Sequence, residues 1–93
     1  MHRRRFEHLF IELSVEVGRA LPRYDLWLAL RGCGHDPEAL TRHAVLAFYD
    51  GPLQSFLRTN GLALGPRSAR RLRKRLAGFD PRHAAPEEIF ARL

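Results

Sequence analysis

Apolar positions recur at helical spacing along most of this chain, and the breaks between the runs fall at Pro and Gly. The first run is Phe6, Leu9, Phe10, Leu13, Val17, Ala20 and Leu21, a single stripe that predicts a helix from about residue 3 to Leu21. Arg3 with Glu7 at i,i+4 and Glu16 with Arg19 at i,i+3 add favourable pairs along it. Ile11 and Val15 fall on the opposite side, where a solvated face would be polar. Another helix or a partner is expected to cover them. Pro22 cannot continue this helix but suits the first turn of the next. There Tyr24, Trp27 and Leu28 form one apolar face and Leu26 with Leu30 another, which predicts a short, well-buried second helix stopped by Gly32.

Asp36 as cap, Pro37 in the first turn and Glu38 at the positive end of the dipole mark the start of a third helix. From Ala44 to Tyr49 every residue is apolar or aromatic, so this helix is expected at the centre of the core. Val45 to Tyr49 followed by Asp50-Gly51 also has the outline of a strand entering a hairpin, but Pro52 and the capped start argue for helix. Gly51 then ends the third helix and Pro52 opens a fourth, with Leu53, Phe56 and Leu57 inward and Asn60-Gly61 as its stop. Leu62 to Gly65 reads as a short linker, and Pro66 starts a fifth helix running to about Gly78. Phe79-Asp80-Pro81 breaks it. Pro86, Glu87 and Glu88 form an acidic first turn for a terminal helix that ends in Ile89, Phe90 and Leu93. The expected fold is all-α, a compact bundle of five to six short helices in one domain, residues 1–93.

Composition sharpens this. Ninety-three residues, 45% of them hydrophobic and with six Phe, two Tyr and one Trp, suffice for one small core. Such a chain buries only about 60–65% of the surface its unfolded form exposes, so association with a second copy would add useful stability. Cys33 is the lone cysteine, which rules out an intramolecular disulfide. No apolar run approaches the roughly 18–20 residues of a membrane span. Arg3, Arg4 and Arg5 have the charge of a signal peptide's start, but Glu7, Glu12 and Glu16 interrupt what would be its apolar region. The same glutamates argue against an interfacial helix on anionic lipid. The expected location is cytoplasmic.

Charge divides the chain. Residues 1–50 hold seven basic and seven acidic side chains, and the whole net charge of +6 comes from residues 51–93. Between Gly51 and Phe79 there are seven basic side chains and no acidic one. Fifteen of the sixteen basic residues are Arg, a bias that GC-rich coding would produce and that also suits phosphate and carboxylate forks. On the fifth helix Ala69, Leu72, Leu76 and Phe79 lie within one narrow arc. Arg67, Arg70, Arg71 and Lys74 centre on the opposite side, flanked by Arg73 and Arg75. With no acid close by in sequence, these charges repel one another, and an anion would relieve them.

Leu53 to Leu76 also has the outline of a helix-turn-helix, but its linker is long and its second helix lacks the Asn and Gln that read adenine. Cys33, His35, Asp36 and His43 offer a metal too few paired ligands, and nothing in the sequence activates Cys33 as a nucleophile. Gly-rich phosphate loops and nucleophile elbows are missing. These features point away from an enzyme and imply no cofactor or metal. Two functions remain. One is a nucleic-acid-binding module that sets Arg67, Arg70, Arg71, Lys74 and Arg75 on phosphates, with Arg58 and Arg73 as outer contacts. The other is an accessory subunit or adaptor that docks on an acidic protein partner through Ile11 and Val15 or through the basic face.

Overall fold

The computed structural model describes residues 4–79. They form five α-helices and no strand: α1 (Arg4–Val17), α2 (Arg23–Gly32), α3 (Arg42–Asp50), α4 (Pro52–Thr59) and α5 (Pro66–Ala77), with a 3-10 turn at Pro37–Ala39 between α2 and α3. The small all-helical bundle expected from the pattern is what the chain builds. The terminal helix expected from Pro86 lies outside the described residues. Among those residues no helix is long and apolar enough to cross a membrane.

The first helix is shorter than its stripe. It stops at Val17 because Gly18 turns into the left-handed region, at φ +89°. The Gly18 and Arg19 N–H groups both donate to the Ser14 carbonyl, at 2.9 and 3.2 Å. This closure satisfies a terminal carbonyl and is open at little cost only to glycine. Leu21 still reaches the core, but from the loop, where its N–H donates to Ser14 Oγ at 3.3 Å. Gly34 plays the corresponding part after α2, with φ +85°. Its N–H donates to the Arg31 carbonyl at 3.0 Å, and the N–H of His35 to that of Leu30 at 3.0 Å. The stop is therefore Gly34, and Gly32 is the last helical residue.

The start signal at Asp36 is real but short. Its side chain accepts from the Glu38 N–H at 2.9 Å and caps only the 3-10 turn. Leu40 then goes extended and is fully buried, which draws the chain into the core and ends the turn. Thr41 restarts the helix, its hydroxyl accepting from the Ala44 N–H at 3.1 Å. Val45 to Tyr49 is helical, not a strand.

The centre of the bundle is α1, not α3. Of the eight residues from Phe6 to Leu13 all but Glu7 are buried, His8 and Glu12 included. A helix buried on nearly every side is an interior helix. It packs against α5, α2 and the 3-10 turn, whereas α3 lies between α4 and α5 and buries only Val45 and Phe48. Two further findings follow. Ile11 is only 7% exposed and Val15 packs half-buried against the core, so of the two covers expected for that face, another helix or a partner, the chain itself supplies the first. On α2, Leu26 and Leu30 are buried, but Tyr24 is 71% and Leu28 46% exposed. One of its two apolar faces looks outward.

Candidate functional site

The fifth helix begins at Gly65-Pro66 without a side-chain cap and without an acidic residue in its first turn. Leu72, Leu76 and the following Phe79 are buried, and Ala69 is half-buried beside them. Two contacts fix this seam to its neighbours. The Tyr49 hydroxyl donates to the Ala69 carbonyl at 2.7 Å, and Phe79 stacks on the buried His8 of α1 with ring centroids 4.5 Å apart. The helix cannot roll without breaking both, so its charged side is held outward.

The fold sorts those charges into two groups. Arg71 grips Glu16 of α1 through two guanidinium nitrogens, Nη2 at 3.1 Å and Nε at 3.3 Å from Oε1. Arg75 lies 3.5 Å from Glu16 and 3.7 Å from Glu12. The side chains of Glu12 and Glu16 are only 5% and 3% exposed, so water screens these pairs weakly. Arg73 meets Asp50 of α3 at 3.5 Å, both of them well exposed. The absence of nearby acids in sequence is thus corrected by tertiary structure for three of the six cations. Arg67, Arg70 and Lys74 have no carboxylate within ion-pairing distance among the described residues. Together with Arg71 they line a shallow depression of about 330 Å³ on the outer side of α5.

A second concavity lies elsewhere. Phe6 and Glu7 of α1 with Arg23, Tyr24 and Trp27 of α2 line a cleft of about 470 Å³. The Arg23 guanidinium pairs with Glu7 and sits 4.2 Å above the Phe10 ring. Phe6 meets Trp27 edge to face, with centroids 5.1 Å apart. Reading Tyr24 and Trp27 as members of a buried face hid this cleft. The signal available was the polar pair: Arg23 beside Tyr24 on α2, and Glu7 beside Phe6 on α1.

No protein-family model, curated protein or solved structure matches this chain. The functional reading therefore rests on the residues themselves.

The remaining candidates are dispersed. Arg58 is exposed on α4, which packs on α3 and α2, whereas α5 packs on α1 and α3. It does not line the α5 depression, and the closely packed helix pair of a helix-turn-helix is not formed by α4 and α5. Cys33 is exposed at the end of α2, His35 is half-buried in the next turn and His43 is exposed on α3. Among the described residues no three His, Cys, Asp or Glu side chains converge as metal ligands would.

Proposed function

We propose that this chain is a binding module rather than an enzyme, and that the outer face of α5 holds the phosphates of DNA or RNA. The observation that carries the reading is the sorting of charge on one helix. Arg71, Arg73 and Arg75 are answered by Glu16, Asp50 and Glu12, while among the described residues no carboxylate answers Arg67, Arg70 or Lys74. Spaced three and four residues apart, the unanswered cations are neighbours on the helix surface and repel one another. They span eight residues, about 10 Å of helix, enough for roughly three phosphates at the 3.4 Å rise per strand of B-form DNA. Arg67 also stands in the first turn, where the helix dipole disfavours a cation and favours an anion.

Arg and Lys on an exposed helix face, without Asn or Gln among them, suit phosphate contact better than base reading. Affinity should accordingly be salt-dependent and sequence preference slight. Titrating labelled DNA or RNA at low ionic strength and then raising the salt tests this. Binding absent at low salt, or insensitive to salt, overturns the reading.

A second reading is an adaptor that docks on a protein. Ile11 no longer supports it, since the chain buries that residue. What favours it is the outward face of α2, where Tyr24 and Leu28, one turn apart, are exposed. An acidic protein would also suit the α5 face. Failure to bind nucleic acid, with capture of an acidic protein abolished by charge removal on α5, would put this reading first.

A further inference from the structure

The cleft between α1 and α2 plays no part in the α5 face. At about 100° per residue, Glu7 lies about 140–180° around α1 from Glu12 and Glu16. The cleft and α5 therefore flank the central helix on opposite sides. Its chemistry is also different. Tyr24 and Trp27 offer ring surfaces, and beside them Glu7 and Arg23 offer an acceptor and a donor. These groups are held in place: Trp27 by its edge contact with Phe6, and Arg23 between Glu7 and the Phe10 ring. A cleft of about 470 Å³ is within the usual range for a small-molecule site.

A purely apolar occupant would strip water from the Arg23–Glu7 pair and return nothing for it. A planar heteroaromatic ring would not. It stacks on the aromatic faces, donates an exocyclic N–H to the Glu7 carboxylate and accepts from the Arg23 guanidinium. Unpaired nucleobases are recognised by this combination of stacking and edge hydrogen bonds. We propose that the cleft receives one unpaired base of a single strand whose phosphates lie on α5. As a preference for single strand over duplex, this rests on the phosphate-binding reading; the ring site itself does not. A duplex is stiff over about 150 base pairs and cannot bend around so small a bundle from one side to the other, whereas a single strand can.

Trp27 is the chain's only tryptophan and so reports the cleft directly. A short unpaired oligonucleotide and its duplex are titrated against the wild type, Tyr24→Ala, Tyr24→Phe, and a variant with Arg67, Arg70 and Lys74 all changed to Gln. Tyr24 is largely exposed, so its removal spares the core. The single strand should change Trp27 emission. Tyr24→Ala should weaken single-strand binding roughly 5- to 100-fold while leaving duplex binding nearly unchanged, and Tyr24→Phe should restore most of the loss. The triple variant should weaken both forms. If Tyr24→Ala affects neither form or both alike, or Trp27 stays silent at saturation, the cleft proposal fails while the salt dependence of α5 stands on its own result. If the strand still binds undiminished and moves Trp27 after the triple change, the α5 reading fails and the ring site stands. Adenosine and N-acetyl-phenylalanine amide are compared by the shift of the Trp27 indole N–H resonance. A larger response to the amide would overturn the base assignment in favour of a peptide side chain.

Discussion

Changing Arg67, Arg70 and Lys74 together to Gln removes the three α5 cations that no carboxylate answers among the described residues. It leaves the seam of Leu72, Leu76 and Phe79 untouched. Gln is nearly as good a helix former as Arg or Lys, and the three sites are exposed. Relief of repulsion, and of a cation in the first helical turn, should leave stability unchanged or raise it by about 0.3–1 kcal/mol. Binding should respond quite differently. If Arg67, Arg70 and Lys74 each neutralise one phosphate, log affinity for duplex DNA falls with log salt at a slope of about −2.7. Between about 50 and 200 mM salt this weakens binding about 40-fold. With all three removed, the slope falls towards zero and the same change of salt costs little. Fluorescence anisotropy across that range, alongside a denaturation curve, reads both quantities. A folded variant that keeps the wild-type slope would refute the assignment of these three residues, and a wild type with no slope would refute phosphate binding altogether.

Arg75→Gln is the matched control: it withdraws the guanidinium shared by Glu12 and Glu16, whose side chains are almost buried. It should cost about 1–3 kcal/mol of stability by urea denaturation and change the salt slope little; the opposite result would make Arg75 a ligand contact rather than a strut. Gly18→Ala places a side chain at φ +89° in open space. The backbone alone resists, so a loss of about 1–2 kcal/mol is expected, and no loss would mean that α1 can end another way. Phe48→Ala empties a fully buried site of α3 and should cost about 3–5 kcal/mol. An effect within about 0.5 kcal/mol would place Phe48 outside the core.

How much of this was legible in the sequence differs from element to element. Gly51-Pro52 and Gly65-Pro66 were read correctly because a Gly-Pro boundary is a local event, settled by the conformations of two residues. Phe56 and Leu57, Leu72 and Leu76 were read correctly because each of their helices has one buried face. The first helix violates that assumption. Its stripe identified Phe6, Leu9, Phe10 and Leu13, but Ile11 and His8 are buried as well, and periodicity cannot tell a surface helix with stray apolar residues from an interior one. The same ambiguity reversed the reading of α2, where two apolar faces suggested burial on both sides and Tyr24 is in fact exposed. Asp36 misled for another reason. Cap, Pro and Glu announce the start of a turn but not how far it extends, and the buried Leu40 ended it within three residues.

The site was half legible. The cationic face of α5 follows from spacing alone, and the structure keeps it outward. Which of its charges remain available does not follow from spacing, because the answering groups lie 55 residues away for Arg71, and likewise on α1 for Arg75. Each of the three glutamates of α1 meets an arginine of another helix: Glu7 pairs with Arg23, Glu12 with Arg75, and Glu16 with both Arg71 and Arg75. In sequence those glutamates argued against a signal peptide and a lipid-bound helix, and Glu7 and Glu16 were expected to pair with Arg3 and Arg19. In the fold they orient the two helices that flank α1. By engaging Arg71 and Arg75 on one side of α5 they make the remaining cations, Arg67, Arg70 and Lys74, a distinct outer row. Removing charge from that row should therefore alter binding at little cost in stability, whereas removing it from the inner side should alter stability at little cost in binding.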